Sequence, residues 1–387
     1  MSGRRKICVV ITARPSYSRI KTALLAIRDH PQLELQLVVA ASALLDRYGN
    51  AVKVIEGDGF KIDRTVYMIL EGENLVTSAK STGLGLAELA TVFNDLKPDA
   101  VVTIADRFET MATAVAAAYM NIPLVHVQGG EVTGSIDEKV RHAVTKLADV
   151  HLVSSEAARR RVERMGENPA HIHVTGCPSI DLAAEALAAE PRDMRGLLSG
   201  YGGVGSDVDI GAGYIVVLQH PVTTEHDEAR RQATATLEAV HRGGWPALWF
   251  WPNVDAGSDG TSRSIRRYRE AQKLPNVHFY KNLQPLDFLS LLINSRGIAG
   301  NSSVAIRECS YLGVPAVNIG TRQRGRDRGR NVTDVGYETA QIEAAIAAMF
   351  ASAARFKDTV YGDGQAGRRI ADVLASAQLP IEKMLTY

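Results

Sequence analysis

This 387-residue chain is short of the features that mark several protein classes. Its three cysteines, Cys8, Cys177 and Cys309, are too scattered to build a disulfide framework, which suits a reducing, cytoplasmic setting. No run approaches the roughly 18 apolar residues of a membrane span. Neither sign of charge prevails: 44 Lys and Arg face 43 Asp and Glu, leaving +1, so no global field draws the chain to nucleic acid or an anionic membrane. Aromatic residues are 6% of the total. The HExxH, P-loop, C-x-x-C and G-x-S-x-G patterns are missing, which removes support for zinc protease, NTPase, thiol-redox and esterase chemistry. No metal and no cofactor are expected. The basic start MSGRRK leads into an apolar run too short for a signal peptide, and it reads as a first strand.

What is present is a repeated strand–loop–helix pattern. Apolar residues are 45% and charged residues 22%, as in soluble globular proteins, and the length suggests two domains. Strands are expected at Lys6–Thr12, Leu35–Ala40, Val101–Ala105, Ile122–Val127, Val150–Ser154 and His171–Thr175. The segment Leu45–Gly85 reads as irregular, with a helix only from Leu86 to Leu96. Later strands are expected at Tyr214–Leu218, Ala247–Trp251, Val277–Tyr280, Gly297–Gly300 and Pro315–Ile319, the last taken as the final clear strand. A helix is expected over Val304–Leu312. The glycine-rich SGYGGVGSDVDIGAG matches G-x-G-x-x-G at Gly200, Gly202 and Gly205. It follows a helix instead of a strand, so it reads as a flexible connection and not a dinucleotide site.

The fold class expected is α/β, with two Rossmann-like doubly wound domains facing a cleft. The domains are residues 1–185 and 186–365, with a C-terminal helix, 366–387, packing back on the first. Within it, apolar positions Ile370, Val373 and Leu374 pattern a helix over Arg368–Leu385.

Polar groups collect where the strands end. In an open parallel sheet that edge is where ligands bind. Asp106, Arg107, Glu131, Asp137 and His142 follow the central strands of the first half, more titratable groups than a folded surface needs. Arg14, in a loop between strand and helix, suits an anion. In the second half the strand ends carry His220, Asn253, Asp255, Ser302 and Thr321. Asn301-Ser302-Ser303 opens a helix, where hydroxyls and N–H groups can cradle a phosphate, or where Ser302 merely caps. Glu308, further along, either accepts hydrogen bonds from sugar hydroxyls or is a helix surface charge. Carboxylates in one half and a phosphate site in the other fit a nucleotide sugar undergoing proton transfer or elimination.

His171 and His173 could ligate a metal, but no third ligand is evident, so they read as ordinary strand histidines. The five arginines of TRQRGRDRGRN lack an interleaved aromatic, which argues against nucleic acid and for an anion-facing or salt-bridged loop. Cys177 reads as a small buried residue.

The motifs ADRFET, HVQGGEVTGSIDEKVRHAVTKLADVH, TGCPS, LQHPVTT, PNVDAGS, GNSSVAIRE and GTRQRGR, taken in order from Arg14 to about Asp363, resemble the UDP-N-acetylglucosamine 2-epimerase family. The resemblance is to its hydrolysing branch in particular. It implies a fold like GT-B glycosyltransferases, UDP-N-acetylglucosamine as the partner molecule, and a homodimer or homotetramer. It implies anti elimination of UDP to a 2-acetamidoglucal, then addition of water to give N-acetylmannosamine. In the non-hydrolysing branch UDP re-adds instead. By position, the resemblance assigns catalysis to Asp106, Asp137 and His220, with Gln128 and Glu131 beside them. It assigns substrate and UDP binding to Arg14, Ser18, Arg107, His220, Asn253, Ser302, Ser303, Glu308 and Arg322.

Two departures stand out. Family members often carry a catalytic Glu where this chain has Gln128, and an amide does not exchange protons under ordinary conditions. Either Glu131 supplies the carboxylate, or Gln128 only orients substrate while Asp106 and Asp137 react, or the chemistry is altered. Ser16 stands where the animal enzyme has an Asp. A glycosyltransferase and a non-catalytic nucleotide-sugar binder remain as alternatives.

Overall fold

A computed structural model describes residues 3–46, 51–71, 75–104, 107–132, 137–252, 258–272, 274–352 and 354–386. The candidate residues Asp106, Asn253 and Asp255 lie outside the described residues. The chain divides into two compact units. One comprises Met1–Glu131, Asp137–Asp181 and Tyr361–Tyr387, the other Val132–Ile136 and Leu182–Val360.

The first unit is built on seven strands: β1 (Arg5–Ile11), β2 (Leu33–Ala40), β3 (Arg64–Val66), β4 (Ala100–Ile104), β5 (Leu124–Val127), β6 (Val150–Val153) and β7 (Ile172–Val174). They pair all-parallel in the order β3-β2-β1-β4-β5-β6-β7. Both faces of such a sheet are covered, so its strands read as near-continuous apolar runs such as KICVVI. The helices are α1 (Arg14–Ser18), α2 (Lys21–Asp29), α3 (Ala51–Gly57), α4 (Leu75–Leu96), α5 (Phe108–Tyr119), α6 (Asp137–Leu147) and α7 (Glu156–Arg164). α8 (Pro178–Ala188) carries the chain out of this unit, and α15 (Ala366–Ser376) belongs to it after the return.

The expected irregular stretch Leu45–Gly85 is instead structured. It holds α3, β3 and the first half of α4, a 22-residue helix that starts well before Leu86. Its glycines mislead. At Gly85 a Cβ would come within 2.4 Å of Met68 and 3.2 Å of Ala112, so the glycine allows close packing against α5 and does not break the helix. The small side chains of α5, including Ala112, Ala114, Ala116 and Ala117, are buried, and α5 packs against α4.

The end of the chain differs from expectation as well. The last helix stops at Ser376, and the residues beyond it run on without helix. Lys383 inserts among buried partners. Its Nζ lies 2.6 Å from Glu167 Oε2 and donates to the carbonyls of Ala148 and Thr145 at the C-terminal end of α6. Lys146 Nζ (2.5 Å) and His151 Nε2 (3.0 Å) meet the same Glu167 carboxylate, which is 2% exposed. Cations there also oppose the negative end of the α6 dipole.

The second unit repeats the plan. Its strands are β8 (Val204–Gly205), β9 (Ile215–Leu218), β10 (Ala247–Phe250), β11 (Val277–Tyr280), β12 (Gly297–Gly300), β13 (Ala316–Ile319) and β14 (Val332–Val335). Their order is β14-β13-β12-β9-β10-β11-β8, parallel except for β8. The helices are α9 (Met194–Tyr201), α10 (Ala229–Gly243), α11 (Ser258–Ala271), α12 (Pro285–Asn294), α13 (Glu308–Leu312) and α14 (Thr339–Ala351). The expected glycine-rich connection is corrected: α9 contains Gly200, and Val204-Gly205 adds an antiparallel edge strand to β11. Nor is Pro315–Ile319 the last strand, since β14 pairs outside β13. The polar sequence of β14, VTDV, hides it, because an edge strand needs little apolar surface. In each sheet the order reverses beside the first strand of the repeat, between β1 and β4 and between β9 and β12. Both units are therefore Rossmann-like and doubly wound. No described helix is long and apolar enough to cross a membrane.

Candidate functional site

In the first unit, candidate groups follow β1, β4, β5 and β6 at their C-terminal ends. After β1, the short α1 presents Arg14 and Ser18, with Ser18 Oγ 3.4 Å from the Arg14 carbonyl. Tyr17 fixes this turn: its hydroxyl donates to Asp58 Oδ2 at 2.6 Å, and Lys21 Nζ meets Asp58 Oδ1 at 2.6 Å. Burial and the Asp58 carboxylate push the Tyr17 hydroxyl's pKa up, so it stays a proton donor.

After β4, Arg107 occupies the N-cap position of α5. Its Nε and Nη2 reach Glu109 Oε2 and Oε1 at 3.2 and 3.3 Å, a two-pronged pairing that a planar guanidinium matches well. Glu109 is fully buried. Nothing in the ADRFET motif distinguishes it from an exposed helix carboxylate, since its burial depends on the packing of α5.

After β5, Gln128 has a left-handed backbone, φ +67°, rare for a residue with a side chain. It is 1% exposed. Its backbone N–H donates to the Leu152 carbonyl at 2.9 Å, and its Nε2 donates to Cys177 Sγ at 3.0 Å. Its Oε1 is buried with no hydrogen-bond partner among the described residues. Glu131 is buried too and accepts from Ser154 Oγ at 2.7 Å, while buried Arg141 donates from Nη1 to the Glu131 carbonyl at 2.9 Å. Asp137 begins α6. Next to it, Glu138 Oε1 lies 3.0 Å from the Nε2 of His142, one turn further on.

In the second unit, β9 and β12 end side by side. The Asn301 side chain clamps His220: Asn301 Oδ1 accepts from the His220 N–H at 2.7 Å, and Asn301 Nδ2 donates to the His220 carbonyl at 2.8 Å. Asn301 appears in the sequence motif, but its clamping role needs the pairing of β9 with β12. The Asn301 carbonyl accepts from Arg322 Nη1 (3.3 Å) and Gln323 Nε2 (2.9 Å), which draws the arginine-rich loop onto the same corner. Further along it, Arg328 pairs with Asp334 at 2.8 Å.

The expected helix over Val304–Leu312 is broken. Ser302 caps a 3-10 turn, Ser303–Ala305, accepting from the Val304 N–H at 3.4 Å, and α13 starts only at Glu308. A macrodipole needs several aligned turns, so hydroxyls and nearby N–H groups, not a long helix, define the polarity here. Glu308 is half-buried, and its Oε2 is buried without a hydrogen-bond partner among the described residues. A buried carboxylate oxygen in that state costs free energy unless something donates to it. A further carboxylate escaped the sequence reading. Glu225 accepts from Thr321 Oγ1 (2.5 Å) and Gln232 Nε2 (2.6 Å), tying the loop after β9 to the loop after β13.

His171 ends a 3-10 turn and His173 lies in β7, and the described residues hold no group of three or more side chains able to bind a metal.

A curated relative, the UDP-N-acetylglucosamine 2-epimerase of Neisseria meningitidis, is 29% identical over 345 residues, 89% of this chain and 86% of that protein. The UDP-N,N'-diacetylbacillosamine 2-epimerase (hydrolyzing) of Legionella pneumophila is 31% identical over 375 residues, 97% of each. The crystal structure of the Neisseria UDP-GlcNAc 2-epimerase bound to UDP-GlcNAc superposes with a TM-score of 0.79 at 19% identity, covering 95% of this chain and 99% of that one. The family model for UDP-N-acetylglucosamine 2-epimerase matches residues 25–375, and the chain belongs to that family.

Proposed function

We propose that this chain is a hydrolysing UDP-N-acetylglucosamine 2-epimerase. UDP leaves anti to the C2 proton: the C2–H and C1–O bonds break, the C1=C2 bond forms, and the products are UDP and 2-acetamidoglucal. Water then adds across the double bond from the face that leaves N-acetylmannosamine. Asp106 and Asp137 are proposed to take and return the C2 proton. Arg14, Arg107 and His220 neutralise charge on the departing diphosphate, where such interactions lower the barrier. Ser302 and Ser303 donate to phosphate oxygens, and Asn253 and Arg322 complete the nucleotide's surroundings.

The observation that carries the nucleotide assignment is Glu308 Oε2, buried and lacking a donor among the described residues, in the helix that follows the Ser302-capped turn. The two hydroxyls of a ribose supply such donors. The Legionella relative, whose name includes "hydrolyzing" and which aligns along 97% of this chain, supports the hydrolysing direction. Its name also makes a 2,4-diacetamido sugar nucleotide a substrate to assay.

Gln128 favours a second reading. An amide where a proton-transferring group is expected weakens the hydration step, and UDP then re-adds to give UDP-N-acetylmannosamine. NMR of UDP-N-acetylglucosamine with the enzyme in deuterated water separates the cases. Deuterium at C2 with free N-acetylmannosamine and UDP supports hydrolysis, and deuterated UDP-N-acetylmannosamine supports the second reading. No exchange at all leaves a transferase or a binder.

A further inference from the structure

Cys177 follows β7 immediately before α8, and the steps above make no use of it. It is fully buried. Its backbone is clamped: its N–H donates to the Tyr361 carbonyl at 2.8 Å, and Gly176 packs on Gly362 so tightly that a Cβ on either would lie 3.1–3.3 Å from the other's Cα. The position of the thiol is thus set largely by the main chain. Sγ reaches Gln128 Nε2 at 3.0 Å and Ser179 Oγ at 3.1 Å. Gln128 is held just as firmly, with a positive φ that persists only where neighbours over-determine it.

A glutamine carboxamide has a donating end and an accepting end. The donating end here is committed to sulfur, while Oε1 is buried with no hydrogen-bond partner among the described residues. Turning the amide over would press Oε1 against the thiol and leave two N–H donors in its place. The thiol tolerates either arrangement, being both a weak donor and a weak acceptor, but with Ser179 beside it to take the S–H it accepts from Nε2.

We propose that Cys177 is a positioning residue for Gln128: by accepting the Nε2 hydrogen bond it turns Oε1 toward an N–H or O–H donor of the aminosugar. The inference rests on the nucleotide-sugar reading above. An N-acetylated sugar offers an acetamido N–H and neighbouring hydroxyls, and an amide oxygen accepts from these without moving a proton. In this chain the family's proton-transferring position thereby serves as a rigid acceptor.

The test uses the full chain with UDP-N-acetylglucosamine and the variants Cys177→Ala, Cys177→Ser, Gln128→Ala and Cys177→Ala/Gln128→Ala. Cys177→Ala is expected to lower kcat about tenfold, the worth of one oriented hydrogen bond, with UDP affinity by calorimetry unchanged. Cys177→Ser should recover most of the loss, since a hydroxyl also accepts from Nε2. The double variant should be no slower than Gln128→Ala alone. In parallel, the Gln128 side-chain NH2 resonances, assigned by their loss in Gln128→Ala, should move in Cys177→Ala and return in Cys177→Ser. Additive losses in the double variant, a wild-type kcat in Cys177→Ala, or unmoved NH2 resonances overturn the inference. An inactive wild-type chain refutes the function proposed above, and the NMR comparison then still decides whether Cys177 orients the amide.

Discussion

Glu109 holds Arg107. The guanidinium leaves the end of β4, and both prongs close on a carboxylate sunk in the first turn of α5, at 3.2 and 3.3 Å. An arginine pinned in this way loses little side-chain entropy when it meets an anion, which is how preorganisation raises affinity. Glu109→Gln is therefore expected to weaken UDP binding by about tenfold, because the amide keeps the shape but loses the charge-assisted pairing. Isothermal titration of UDP measures it, and an unchanged Kd would remove Glu109 from the binding machinery.

The carboxylates proposed to carry protons make a separate prediction. Asp106→Asn and Asp137→Asn should each abolish deuterium incorporation at C2 while leaving UDP binding largely intact, since an amide cannot exchange the proton. Gln128→Glu should leave activity standing or raise it, because the carboxylate keeps the amide's shape and its accepting oxygen and restores a group able to exchange a proton. Burial would raise that carboxylate's pKa and add a new limb to the pH–rate profile. Full activity in both Asp variants, or total loss in Gln128→Glu, contradicts this division of roles.

Glu308 is exchanged with similar logic. Its Oε2 is buried without a donor among the described residues. Glu308→Gln replaces one acceptor with an NH2 group that faces ribose hydroxyls poorly, and UDP affinity should fall about tenfold. The thermal unfolding midpoint of the unliganded protein should stay near that of wild type, since Oε2 has no hydrogen-bond partner among the described residues to lose. Equal UDP affinity in variant and wild type would argue against a ribose at this position.

The Glu167 cluster predicts a pH dependence of stability. Burial alone would raise this carboxylate's pKa, but hydrogen bonds from His151, Lys146 and Lys383 outweigh it and bring the pKa down to about 2. The folded-state pKa lies below the unfolded one, so the stabilisation is fully present above about pH 4.5 and is lost as pH falls from there toward 2. Calorimetric unfolding of wild type and Glu167→Gln from pH 7 to 3 should show the two midpoints converging on acidification. A constant gap would mean that the carboxylate's charge is not what holds the tail. Lys383→Met should likewise destabilise, since it leaves the Thr145 and Ala148 carbonyls at the end of α6 and the buried Glu167 carboxylate without its ammonium.

Much of the first-order plan was legible in the chain itself. Runs such as KICVVI and AVVTI, short and bounded by turn signals, read as strands buried on both faces, and their alternation with helical patterns points to parallel, doubly wound sheets. Because loops at the C-terminal ends of such strands collect ligands, Arg14, Arg107, His220 and Ser302 could be singled out as polar groups ending apolar runs. Tertiary structure decided what depends on neighbours remote in sequence. Gly85 is a helix residue because Met68 and Ala112 crowd it, and β14 is a strand because β13 offers it an edge. Glu109 is buried and pairs with Arg107, Asn301 clamps His220 from just beyond the end of an adjoining strand, and Cys177 meets Gln128 from 49 positions away. Local propensity and hydrophobic period act over a few residues and are written in order along the chain. The partner of a buried polar group is chosen by the fold, which alone determines what lies within 3 Å of it.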